Sequence, residues 1–188
     1  MVNNSQVARI KSAKTTKNQK PKTKNSRSVV WKFTNQRELN KSEFINYVER
    51  KVFRTIRKFN LLPKNKVITL KKSNDINTQV LKQILETKFQ VGYITKPNTL
   101  TSNLSSEAED IFKNIIKGNF NHKSKPSPLL YLSDKEIELY AKLKNIKGTP
   151  RKQDNSIQTL FNKFLKKNQD LELNILKASN QINEKTNN

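Results

Sequence analysis

Cysteine is absent from all 188 residues, which excludes disulfides, thiolate zinc sites and iron–sulfur clusters held by this chain. Histidine occurs once, as His122, in the polar stretch Asn121-His-Lys-Ser-Lys-Pro126, where a solvent-facing loop residue is expected. Acidic residues are scarce, 15 against 38 Lys plus Arg. Apolar residues make up 33% of the chain, below the roughly 45–50% usual in globular domains, so part of the sequence must be solvated. No apolar run is long enough to span a bilayer.

What is present is positive charge. The formal net charge is +23 and the pI about 10.2, so the isolated chain repels itself and a polyanionic partner is expected. Nucleic acid fits best. An anionic membrane surface fits less well, because the basic helices carry core-like apolar faces. Residues 1–28 hold Arg9, Lys11, Lys14, Lys17, Lys20, Lys22, Lys24 and Arg27 with no acid and almost no large apolar side chain. Such a segment buries too little surface to offset its ordering entropy, and is expected to be disordered until it meets phosphates. The rival reading, a mitochondrial presequence, would want more arginine and a clearer amphipathic period.

Beyond the tail the pattern alternates. Val29-Val-Trp-Lys-Phe33 reads as a short strand-like patch, with Trp31 a core anchor. Ser42 is placed to cap a helix to about Asn60, with Phe44, Val48, Val52, Ile56 and Phe59 on one face. Tyr47, Arg50, Lys51, Arg54, Arg57 and Lys58 fill an adjoining arc that contains no acid, so these cations are expected to contact phosphate. Lys66-Val-Ile-Thr-Leu70 and Val91-Gly-Tyr-Ile-Thr95 read as buried strands on either side of a helix from Ile76 to Thr87, with Val80, Leu81, Ile84 and Leu85 inward. Ser105 or Ser106 is expected to cap a third helix, with Glu107 and Glu109 in its first turn and Gly118 at its end. Ser133, with Glu136 three residues on, predicts a capping box for a helix through Lys144. Gly148-Thr-Pro-Arg-Lys marks a turn, and a helix from Ser156 to about Lys167 should turn Ile157, Leu160, Phe161, Phe164 and Leu165 inward. Leu171–Leu176 continues apolar, and the last dozen residues are expected to fray. Strands alternating with helices predict an α/β fold with a small parallel sheet flanked by helices.

Four blocks across residues 38–182 resemble the tRNA 2-thiouridine synthetases, a thiolation branch of the PP-loop ATP pyrophosphatases. They are the helix Glu43–Leu62; the strand–loop–helix Lys66–Leu85; Asn103-Leu-Ser-Ser-Glu-Ala-Glu109; and Pro128–Lys144 with Lys166–Ile182. The resemblance implies a truncated, degenerate PP-loop-like domain over 29–148, followed by a helical segment and polar tail over 149–188. It also implies a lost reaction. The family loop Ser-Gly-Gly-x-Asp-Ser wraps ATP phosphates with backbone N–H groups, whereas here it reads Lys71-Lys-Ser-Asn-Asp-Ile76 without glycine. Lys71 and Lys72 still attract phosphate as surface charges. The paired aspartates of the third block are Ser105 and Ser106, its histidine is Ser102, and the zinc positions before the first helix are Asn40 and Glu43. The family's chain between Phe89 and Asn98 is reduced to a connector.

The expectation is therefore a chain with no catalytic residues, no metal and no cofactor. It should bind structured RNA, either rRNA or tRNA, through its tail and the 42–60 helix. A place in a ribosome or other ribonucleoprotein, in a reducing intracellular compartment (cytoplasm or mitochondrion), would neutralise the charge, with other ribosomal proteins as neighbours. The alternative is a pseudo-enzyme subunit paired with an active thiolation enzyme.

Overall fold

In the computed structural model, which describes residues 28–120, 122, 124–152 and 155–186, the elements run ββαβαβαααα. The tail cations Arg9, Lys11, Lys14, Lys17, Lys20, Lys22, Lys24 and Arg27 lie outside the described residues. The first two strands, β1 (Val29–Lys32) and β2 (Glu38–Asn40), form an antiparallel hairpin with Trp31 opposite Leu39 and a bulge at Val30. Gln36, at φ 66°, makes the turn between them.

Helix α1 (Lys41–Lys58) begins where β2 ends. Its N-cap is Asn40, not Ser42: the Glu43 N–H donates to Asn40 Oδ1 at 3.1 Å, and Glu43 Oε2 accepts from the Asn40 N–H at 3.0 Å. Asn40 is extended at ψ 176°, the conformation a cap needs, and Ser42 merely donates to its side chain. Phe44, Val48, Val52 and Ile56 are buried along one stripe, each such burial stabilising by roughly 1.5–3 kcal/mol. Phe59 lies at the C-cap instead, half-buried and stacked on Tyr131.

The parallel sheet expected from the sequence is present with two strands, β3 (Val67–Leu70) and β4 (Gln90–Tyr93), in register from Val67 opposite Gln90 to Leu70 opposite Tyr93. Helix α2 (Ile76–Leu85) crosses between them and buries Val80, Leu81, Ile84 and Leu85 as expected. The other edge of β3 is closed by Asn98. Its Oδ1 accepts from the Thr69 N–H at 2.9 Å and its Nδ2 donates to the Val67 carbonyl at 3.2 Å, so one side chain stands in for a missing strand.

Helix α3 (Leu104–Ile116) is capped by Asn103, with Ser106 at its third position, so neither Ser105 nor Ser106 is the cap and Glu109 falls beyond the first turn. Gly118 ends it at φ 73°, where an L side chain would be strained. Helix α4 (Asp134–Lys144) has the expected Ser133–Glu136 capping box and ends at Asn145 in the left-handed conformation. It joins α1, α2 and the sheet in the main core. Helix α5 (Asn155–Leu165) buries only Ile157 and Phe161; Leu160 and Phe164 are exposed, because a single stripe faces Ala108 and Phe112. Helix α6 (Leu171–Thr186) packs on α3 through Leu176 and Ile111, so residues 177–186, expected to fray, continue a helix.

Candidate nucleic-acid interface

The outer face of α1 carries the exposed side chains of Arg50, Arg54, Arg57 and Lys58. Periodicity dictates this: the buried stripe repeats every four residues and turns the intervening arginines outward. Arg50, Arg54 and Arg57 make no ion pair among the described residues. The arc is not free of acid, however. Lys51 is half-buried and donates to Glu136 Oε1 at 3.0 Å and to Tyr47 Oη at 2.6 Å, while Tyr47 itself donates to Glu136 at 2.7 Å. Burial and the Glu136 carboxylate raise the Tyr47 phenol well above its ordinary range, so it stays a donor. The acid that balances Lys51 comes from α4, 85 positions away.

Beside this arc lies a cleft of about 530 Å³ between the hairpin, α1 and the start of α6. Its rings are Trp31, Phe33, Tyr47 and Tyr131, all half-buried. Trp31 is the core anchor expected, 5.3 Å from Phe44, and it also forms a cleft wall; its Nε1 is buried without a hydrogen-bond partner among the described residues. Lys58 donates to Tyr131 Oη at 2.8 Å and lies 5.0 Å from that ring's centre. Glu172 and Asp170 occupy the opposite side, and burial pushes the Glu172 carboxyl up. A neighbouring depression adds Lys166 and Lys167 to Lys32 at the mouth. No sequence pattern joins these three cations, because Lys32 and Lys166 lie 134 residues apart; the only local signal is the Lys166-Lys167 pair just after an amphipathic helix.

Lys71 and Lys72 are exposed just after β3, away from the α1 arc in sequence and lining none of these depressions. The loop they begin is closed over by the chain around Gly148. The Ile76 N–H, at the start of α2, donates to the Thr149 carbonyl at 2.9 Å, and the Thr149 N–H donates to the Asn74 carbonyl at 2.8 Å. Asp75 caps α2, accepting from the Thr78 N–H at 2.9 Å and hydroxyl at 2.7 Å. Burial raises its carboxyl, but bonds from Ser73 and Thr78 outweigh that and hold it below the ordinary range.

Ser105 and Ser106 also have structural work. Ser106 completes the Asn103 capping box, and Ser105 Oγ accepts from the Asp134 N–H at 2.9 Å. Arg151 Nε donates to Asp134 Oδ2 at 2.9 Å and its Nη1 to Glu109. Burial lowers the guanidinium pKa, but Asp134 and Glu109 more than reverse this, so it is a fixed cation tying the 148–151 segment to α3 and α4. His122 is not a free loop residue. Its Nε2 lies 2.8 Å from Glu107 Oε1 and its Nδ1 3.1 Å from Asn114, while its carbonyl accepts from Asn183 at 2.6 Å. Asn40 and Glu43 are cap partners, and no group of three acid or histidine side chains suited to a metal exists among the described residues.

No known protein-family pattern matches the sequence, and no curated protein does. Solved structures do match. The U34-tRNA thiolase NcsA from Methanococcus maripaludis, solved with its 4Fe-4S cluster, superposes with a TM-score of 0.63 at 13% identity, covering 80% of this chain and 82% of that one. At that identity the likeness shows the fold: the chain shares the α/β architecture of this thiolase, short sheets flanked by helices.

Proposed function

We propose that this chain is a non-catalytic protein that binds structured RNA, rRNA or tRNA, within a ribosome or similar particle, on a fold inherited from a tRNA-thiolating enzyme. The carrying observation is the α1 face, where Arg50, Arg54 and Arg57 project from a rigid helix in a chain of net charge +23. A helix fixes the spacing of its charges, and arginine holds phosphate in a bidentate fork. The tail cations and Lys71 and Lys72 supply further phosphate contacts. Absence of catalysis is supported by the glycine-free loop, whose first helical N–H is taken by Thr149. The test is binding of a folded tRNA transcript against an unstructured RNA of equal length. Replacing Arg50, Arg54 and Arg57 with Gln is expected to lower the preference for the folded RNA; a variant with full affinity and full preference would refute the reading.

The likeness to a U34-tRNA thiolase favours one second reading, a pseudo-enzyme subunit of a tRNA 2-thiolation complex. Sedimentation after a high-salt wash separates the two. Retention on ribosomal subunits supports the first reading, and co-purification with thiolation activity supports the second.

A further inference from the structure

The cleft beside α1 has a composition that RNA binding through phosphates alone does not need. A helix face suffices to hold a backbone; a hollow lined by four rings does not add to that. We propose that this cleft takes a single unstacked nucleotide, its base against the rings and its phosphate against Arg54 and Lys58. The inference rests on the RNA-binding reading and deepens it by naming the unit the protein reads.

Size comes first. About 530 Å³ lies within the roughly 300–1,000 Å³ of small-ligand sites and has no room for a duplex. Chemistry comes second. Phe33, Tyr47 and Tyr131 are half-buried yet line open space, the condition for base stacking, which every base satisfies with its π-face. Polarity comes third. Arg54 and Lys58 stand on the α1 side, whereas Asp170 and Glu172 stand on the α6 side. A phosphate is drawn to the first side, and the amino and imino donors of a base find acceptors on the second. An acyl chain would desolvate both sets of charges, and an acidic peptide would meet the two carboxylates, so neither suits the cleft as a nucleotide does.

The walls are set before any ligand arrives. Tyr47 is held by Glu136 and Lys51, and Tyr131 by Lys58 and by its stack on Phe59 at 6.2 Å. Little ordering entropy remains to be lost on binding. The cleft opens beside Arg54, with Lys32, Lys166 and Lys167 at its mouth, so an RNA strand crossing α1 would pass over it.

Trp31 is the single tryptophan and lines the cleft, which makes its emission a direct reporter. The full chain is titrated with an RNA hairpin whose stem is fully paired and whose compact tetraloop keeps its bases stacked (the paired hairpin), the same hairpin bearing a one-nucleotide adenosine bulge in the stem, and AMP alone. The bulged hairpin is expected to bind about tenfold more tightly than the paired one and to change Trp31 emission saturably. Tyr131→Leu keeps the apolar bulk but removes the ring; it should abolish that preference while leaving affinity for the paired hairpin intact. Phe33→Leu, at a looser site, should do the same if Tyr131→Leu disturbs folding. An AMP-induced change lost in these variants supports the cleft as a site for free nucleotide as well. Equal binding of both hairpins, with Trp31 unmoved by either RNA or by AMP, overturns the proposal, as does a bulge preference that survives both variants. If AMP binds while neither hairpin does, the RNA-binding reading fails and the cleft stands as a mononucleotide site. If no probe binds, both fail.

Discussion

Gly148→Ala tests whether the segment after α4 really seals the loop from Lys71 to Ile76. A Cβ at Gly148 would stand 3.0 Å from Ile76 Cα and 3.1 Å from both the Asn74 carbonyl oxygen and the Ile76 nitrogen. All three are backbone atoms, so no side-chain rotation relieves the contact. The 148–149 segment must lift, and lifting it stretches the 2.9 Å bond from the Ile76 N–H to Thr149 and the 2.8 Å bond from the Thr149 N–H to Asn74. Two backbone hydrogen bonds are worth about 1 kcal/mol each, and overpacking at such a contact costs about 1–3 kcal/mol, so the expected loss is about 2 kcal/mol. With a urea m-value of about 2 kcal/mol per molar, the midpoint should fall by about 1 M at unchanged slope. Gly92→Ala is the control, since a Cβ there meets nothing within 4 Å. If Gly148→Ala unfolds at the same urea concentration as Gly92→Ala, the sealing contact does not exist.

Three further outcomes follow from the same geometry. Asp75 is held below its ordinary range, so its charge contributes stability above the unfolded value of about 3.9, lost as pH falls through the lower folded value; the gap in urea midpoint between wild type and Asp75→Asn should be flat above about pH 5 and close below it. A gap that persists unchanged to the acid limit would contradict that. Arg151→Gln leaves Asp134 and Glu109 without their shared cation and should cost about 3 kcal/mol by urea unfolding, whereas an unchanged midpoint would mean that the network is idle. Calorimetry with magnesium-ATP should show no saturable binding, and magnesium-dependent binding abolished by Asp75→Ala would restore a nucleotide site.

Local signals were legible in the sequence and long-range ones were not. The Ser133–Glu136 box, the α1 and α2 stripes and the β3 strand each depend on residues within a few positions of one another. Asn40, with Glu43 three residues on, carries the same local signal, but Ser42, two residues later, offers a competing cap hydroxyl. The three-residue strand β2 is too short to show a period, so the hairpin that walls the cleft was seen only as its first half. Glu136 neutralising Lys51, His122 meeting Glu107 and Gly148 touching Ile76 are all contacts between distant segments. Nothing in the local pattern of either partner announces them. The outward Leu160 and Phe164 show the same limit, since an apolar period says which residues share a face but not how much of that face is covered.

The proposed RNA binding rests on a rigid array of arginines on α1 contacting phosphates. Its most direct measurement is the dependence of RNA affinity on salt, for wild type and for the Arg50, Arg54 and Arg57 to Gln variant. Each phosphate contact contributes about −0.7 to −0.9 to the slope of log K against log salt, so the triple variant should bind with a slope shallower by about two to three. Identical slopes for the two proteins would mean that the α1 arginines face solvent alone, and would contradict the account.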